Sequence, residues 1–230
     1  MTDHKMVYQQ EAAQYQRLIS REDYLGNLLP AIEKITSLQG KDLVDLGAGT
    51  GRLAHLLAPW VRSVHALDLS PHMLGVAAEL LRYQKPKTWQ VTASDHRWIP
   101  LADNSADLIV SGWSICYLMV WEGEDWKKEI EKALQEIKRV LRKEGMLIII
   151  ETLGTGNKDP VEIDKLKPYL NFLEDSGFRK SWIRTDYCFI NRKEAQELVK
   201  FFFGEEMVSK IGDEEQPILP ECTGLWWITA

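Results

Sequence analysis

Between Leu43 and Gly51, the apolar run Leu43-Val44-Asp45-Leu46 opens directly into Gly47-Ala48-Gly49-Thr50-Gly51, and no other stretch limits the fold as tightly. A strand that ends in glycines and restarts as a helix lets backbone N–H groups approach a ligand closely. The helix expected next runs from Arg52 to Ala58 and is ended by Pro59. A dinucleotide loop, Gly-x-Gly-x-x-Gly, needs a small residue at position 52, where this chain has arginine. No Gly-Lys-Ser/Thr follows, so the Walker phosphate loop is excluded as well. Asp45 at the mouth of the strand would repel a pyrophosphate and suits a ligand that carries positive charge.

The rest of the chain alternates between strand-like and helix-like segments. Val64–Asp68 reads as the second strand, with Asp68 placed to accept both hydroxyls of a ribose. Ser70 and Pro71 then open a helix as N-cap and first helical residue. Trp89–Ala93 and Asp107–Ser111 read as the third and fourth strands. Trp126–Leu141 is a periodic helix ended near Gly145, and Met146–Ile150 is the fifth strand. The alternation predicts a parallel sheet covered on both faces.

The ends are less regular. Residues 1–38 carry helical patterns, including Tyr24–Ile35. After residue 151 the reading gives a loop at Gly154–Asn157, a helix over Val161–Ser176 and a strand over Trp182–Ile190. Asn191, with Glu194 as its capping-box partner, starts a helix to Phe203, and Leu225–Ile228 forms the final strand.

Composition limits the partners. The chain has 28 basic and 34 acidic residues, a formal charge of −6, which argues against nucleic acid. Apolar runs are far shorter than the ~20 residues of a membrane helix, and the polar start lacks a signal-peptide core. A cytoplasmic protein with no membrane partner is therefore expected. Its three cysteines, Cys116, Cys188 and Cys222, lie too far apart to suggest a zinc site or disulfide framework, so no metal is expected.

Val44-Asp45-Leu46-Gly47-Ala48-Gly49-Thr50-Gly51-Arg52 resembles the first motif of class I S-adenosylmethionine-dependent methyltransferases. Leu67-Asp68-Leu69-Ser70-Pro71-His72-Met73-Leu74 resembles their second, in the branch called methyltransferase type 11. Ala106-Asp107-Leu108-Ile109-Val110-Ser111 resembles the fourth-strand motif, and Arg139–Leu147 the run into the fifth strand. The resemblance implies a doubly wound, Rossmann-like sheet of seven strands, mostly parallel with an antiparallel last strand. It implies helices on both faces and an N-terminal helical lid over residues 1–38. Residues 39–230 would be the methyltransferase domain, with a cofactor half at 42–152 and an acceptor-side elaboration at 153–223.

The implied cofactor is S-adenosyl-L-methionine, leaving S-adenosyl-L-homocysteine as product. Gly47, Ala48, Gly49 and Gly51 would admit its methionine half, with Asp45 organising the loop or the ammonium. Asp68 would hold the ribose, Leu69 and Met73 would pack on adenine, and Asp95 with the His96 backbone would read its edge. Ser111 and Trp113 would lie beside the methionine moiety. His96 departs from the small or aliphatic residue often found at its position in this family.

Methyl transfer from a sulfonium needs alignment and exclusion of water, and a base only if the acceptor must lose a proton. His96, Cys116 and Tyr117 are the candidates for such a base, and none is selected. Tyr8, Tyr15, Trp98, Trp113, Tyr117 and Trp121 are expected around the acceptor, for which a small molecule is the leading choice. No Asn-Pro-Pro-Tyr motif follows the fourth strand, where the chain reads Ser111-Gly112-Trp113-Ser114. RNA, tRNA or protein acceptors, and a non-catalytic cofactor-binding scaffold, are the alternatives.

Overall fold

The computed structural model describes residues 4–84 and 88–230, so the first three residues of the expected lid lie outside the described residues. In chain order the helices are α1 (His4–Gln10), α2 (Ala12–Ile19), α3 (Leu28–Ile35), α4 (Arg52–Leu57) and α5 (Pro71–Leu81). They continue with α6 (Cys116–Glu122), α7 (Trp126–Val140), α8 (Lys167–Asp175) and α9 (Arg192–Phe203). The strands are β1 (Asp42–Leu46), β2 (Ser63–Asp68), β3 (Thr88–Ala93), β4 (Ala106–Gly112) and β5 (Leu141–Thr155). Then come β6 (Arg179–Arg184), β7 (Tyr187–Cys188), β8 (Ile218–Leu219) and β9 (Glu221–Thr229).

Alternation along the strands builds two cores. Val44, Leu46, Ile109, Leu147 and Ile149 enter one, and Leu43, Leu108, Val110, Ile148 and Ile150 the other. Successive side chains leave opposite faces of a strand, so a doubly covered strand must be apolar throughout. Helices α6, α7 and α8 close the first core, while α3, α4 and the end of α5 close the second. The seven strands run in the order β3-β2-β1-β4-β5-β9-β6, with β9 antiparallel to both neighbours and the pairs from β3 to β5 parallel. This is the sheet that the methyltransferase resemblance implies.

A third core joins the two ends of the chain. Leu18 of α2 packs with Tyr187, Phe189, Leu219 and the apolar face of α9, Ala195, Leu198 and Val199. Helix α3, grouped by sequence with the N-terminal lid, packs Leu28, Ala31 and Ile32 on the sheet side instead.

Four sequence expectations need correction. The loop at Gly154–Asn157 is partly strand, because β9 pairs Cys222 with Gly154 and Glu221 with Thr155 past a bulge at Leu153. The helix expected from Val161 begins at Lys167, since the Val161 N–H is held by the Leu153 carbonyl at 2.8 Å and Pro168 sits in the first turn. The strand Trp182–Ile190 breaks at Thr185, whose N–H turns to the Glu221 carbonyl at 3.0 Å. The helix Tyr24–Ile35 starts at Leu28, because the Asp23 carboxylate accepts the Asn27 and Leu28 N–H groups at 2.8 and 2.9 Å.

Gly51 is fixed by both conformation and packing. Its φ is +86°, and a Cβ would lie 2.8 Å from that of Ala77 on α5. Gly51→Ala combines left-handed strain with overpacking and should lower unfolding stability by about 2–4 kcal/mol. Urea denaturation checks this; an unchanged midpoint would show that α5 yields freely.

Candidate active site

The strand order reverses between β1 and β4, and a cavity of about 530 Å³ lies over the carboxyl ends of β1, β2 and β4. Open parallel sheets bind ligands at this crevice. Asp45 is the next-to-last residue of β1, buried with its neighbours, and its Oδ2 accepts the Ala54 N–H at 2.7 Å, tying the strand to the first turn of α4. Asp45 Oδ1 is buried without a hydrogen-bond partner. Burial pushes this carboxyl up to about 7; the Ala54 N–H opposes the rise and Asp68 adds to it.

Asp68 takes the Gly49 N–H on Oδ2 and the Ser70 N–H on Oδ1, each at 2.8 Å. Each oxygen keeps lone-pair capacity for another donor. Burial raises its pKa, and the Ser70, Gly49 and Leu69 backbone hold the rise in check. Ser70 caps α5 through Met73 as expected, and its hydroxyl also donates to the Tyr8 carbonyl at 3.0 Å.

Gly47 has φ +77°, and a Cβ there would lie 1.8 Å from Ser114 Oγ and 2.9 Å from His96 Nε2. Those two atoms are hydrogen-bonded at 2.8 Å, so a polar pair crosses the loop where only glycine fits. Gly49 has φ +54°, and a Cβ there would meet nothing closer than Met73 Cε at 3.9 Å.

Asp95 is gripped by Arg97, which donates from Nε to Oδ1 at 2.8 Å and from Nη2 to Oδ2 at 2.7 Å. Burial would raise the Asp95 carboxyl, but the Arg97 hydrogen bonds prevail and hold it below the usual range. Arg97 also pairs with Glu122 of α6 at 3.0 Å and Glu129 of α7 at 2.7 Å. Across the cavity, the Arg52 guanidinium lies 4.4 Å from the centre of the Trp113 ring and pairs with Glu22 at 2.5 Å. Glu22 accepts from Tyr187 at 2.8 Å and Thr185 at 3.2 Å, which links the glycine-loop helix to the segment after β6.

The N-terminal helices form one wall. The hydroxyls of Tyr8 and Tyr117 are 2.8 Å apart, Tyr8 meets Tyr15 edge to face at 5.4 Å, and Tyr117 stacks on Trp121 at 4.9 Å.

The cavity brings together Asp45, Gly47, Ala48, Gly49, Asp68, Leu69, Met73, Asp95, His96 and Trp113 with Tyr8, Tyr15, Tyr117 and Trp121. Three expected residues stand apart. Ser111 is buried and donates to the Leu46 carbonyl at 2.8 Å, Gly51 packs against α5, and Trp98 is 75% exposed outside the cavity. Cys116 is buried beside Glu151, where burial drives its thiol pKa well up, so it supplies no thiolate. Sequence reasoning missed Arg52, Arg97, Ser114 and Glu122 as lining residues. Arg52 entered that reasoning only as the residue that breaks a dinucleotide loop.

A glycine-loop cavity with an acid at the end of β1 and another at the end of β2 defines a nucleoside-binding site of the Rossmann-like kind. Residues 44–149 match the model of a methyltransferase domain. A malonyl-[acyl-carrier protein] O-methyltransferase of Serratia marcescens is 30% identical over 122 residues, covering 53% of this chain and 42% of that protein. A ubiquinone/menaquinone biosynthesis C-methyltransferase of Rubrivivax gelatinosus is 33% identical over 112 residues, covering 49% and 39%. A SAM-dependent methyltransferase from Aquifex aeolicus shares the fold with a TM-score of 0.56 at 20% identity, over 87% of this chain and 88% of that one. Over residues 44–149 the chain carries a methyltransferase domain of the class I, S-adenosylmethionine-dependent kind. It spans about half the length of the curated relatives it matches. No described helix is long and apolar enough to cross a membrane.

Proposed function

We propose that the protein transfers a methyl group from S-adenosyl-L-methionine to a small-molecule acceptor by in-line displacement, releasing S-adenosyl-L-homocysteine. One observation carries this reading: a buried carboxylate, Asp45, and a half-buried one, Asp68, flank a glycine loop in a single cavity, and Asp45 has an oxygen without a partner. The ammonium and sulfonium of the cofactor's methionine end, net positive even with its carboxylate, offset that buried acid, whereas a pyrophosphate would add to the repulsion. Asp68 holds the ribose hydroxyls, and Leu69 and Met73 cover the adenine. Asp95 accepts the adenine amino group on Oδ2, which carries one bond from Arg97, while the His96 backbone reads the neighbouring edge. Gly47, Ala48 and Gly49 admit the methionine half beside Trp113; Gly51 and Ser111 support it from behind.

The cofactor supplies an already activated methyl group, so the chain's residues orient the acceptor and exclude water. Residues 1–38 contribute the cap through α1 and α2, which the α9 side of the acceptor elaboration backs. The aromatic wall and the charge of −6 favour a small acceptor over nucleic acid. The protein incubated with methyl-labelled S-adenosylmethionine and cell extract should place label in a small product that passes an ultrafilter, separates from S-adenosylmethionine and does not form without the protein. Label recovered in RNA or protein would overturn the small-molecule assignment.

A further inference from the structure

The side chains of His96 and Ser114 are a part of this cavity that the binding roles above leave unused. The two lie 18 positions apart on separate elements, the loop after β3 and the turn after β4, yet their side chains meet at 2.8 Å. Their meeting point is the α-carbon of Gly47, where any Cβ would collide with both. They are thus fixed beside the part of the glycine loop assigned to the methionine half of the cofactor. The same cavity is lined by Tyr8, Tyr15, Tyr117 and Trp121. Of the charged groups beside them, Asp95 is paired with Arg97 at 2.7 Å, and Arg97 with Glu122 at 3.0 Å.

We propose that Ser114 and His96 form a proton relay for a flat, uncharged hydroxyl acceptor, making the reaction an O-methylation. This rests on the methyltransferase reading above. The acceptor O–H donates to Ser114 Oγ, and the Ser114 O–H donates to His96 Nε2, with the ring proton on Nδ1. As an acceptor oxygen lone pair forms the new O–CH3 bond, the S–CH3 bond breaks and its electron pair stays on sulfur as a thioether. The acceptor proton passes to Ser114 while the Ser114 proton passes to His96, which leaves as imidazolium and later discharges to water. Burial pushes the imidazole down to about 4 against the opposing pull of Asp95, so it is neutral at rest and, as a weak base, holds the transferred proton only in passing before it goes to water. The aromatic wall matches a flat apolar body, and it presents no unpaired ion to a charged one.

At a mildly alkaline pH, about 8.5, phenol and 4-nitrophenol separate a relay from mere packing, because the first is still protonated there and the second almost wholly ionised. Ser114→Ala and His96→Asn should slow methylation of phenol about 100-fold or more and that of 4-nitrophenol only a few-fold. Binding of S-adenosylhomocysteine by each variant should stay within a few-fold of the parent. Equal losses on both probes would overturn the relay, as would transfer by the parent protein to aniline or thiophenol but to neither phenol. Failure of the parent protein to bind S-adenosylhomocysteine would instead sink the methyltransferase reading beneath it. Should the variants fail to fold, nitrogen spectra of the imidazoles in the parent protein decide: His96 Nε2 should be unprotonated and hydrogen-bonded at neutral pH, and a protonated Nε2 would exclude the relay.

Discussion

Asp68→Ala should weaken binding of S-adenosylhomocysteine by about 30- to 1,000-fold, equivalent to about 2–4 kcal/mol. The carboxylate is given two tasks. It would accept the ribose hydroxyls, and it already holds the Gly49 and Ser70 N–H groups at 2.8 Å. Alanine removes the ribose contact and loosens the glycine loop together. Asp68→Asn keeps the shape but presents one amide donor where an acceptor is needed, so it should recover only part of the loss. Calorimetry on folded variants reads both effects, and an unchanged dissociation constant in Asp68→Ala would remove Asp68 from the site.

The ligand-free protein should grow less stable as pH rises from about 6 to about 8, opposite to the common acid-lability of proteins. Burial pushes Asp45 up to about 7, Glu151 up to about 7 and Glu221 up to about 8. Each acid binds its proton more tightly folded than unfolded. The stabilising contribution is complete below the ordinary carboxylate pKa and is lost as pH climbs through the raised values. Each group contributes about 1.4 kcal/mol per pH unit inside its window, so the three together give a fall of about 2–4 kcal/mol between pH 6 and pH 7. Urea unfolding at pH 6, 7 and 8 measures the slope. Glu151→Gln should flatten it, and saturating S-adenosylhomocysteine should flatten it further because the bound ammonium favours ionised Asp45. A midpoint that rises over this range would contradict the burial of these acids.

Legibility followed the distance between partners in the chain. The glycine loop, Asp45 and Asp68 were readable because strand, loop and helix are adjacent, and backbone geometry imposes the residue types. Ser70 was readable for the same reason, since a helix cap bonds only three residues ahead. Arg52 and Glu22 are 30 positions apart, and His96 and Ser114 are 18 apart, so neither pair leaves a local pattern. The segment from Val161 shows the converse failure. Its composition suits a helix, and the bond from the Val161 N–H to the Leu153 carbonyl holds its start outside the helix, which begins at Lys167. Trp98 was placed by aromatic type alone, and type does not state which way a loop residue turns.

The central claim is that a sulfonium nucleoside, not a dinucleotide, occupies the cavity above β1 and β2. Isothermal titration of the purified protein with S-adenosylhomocysteine and, separately, with NAD tests it most directly. The account predicts saturable one-site binding of S-adenosylhomocysteine, displaced by S-adenosylmethionine, and no heat of binding with NAD. Binding of NAD with none of S-adenosylhomocysteine would contradict it.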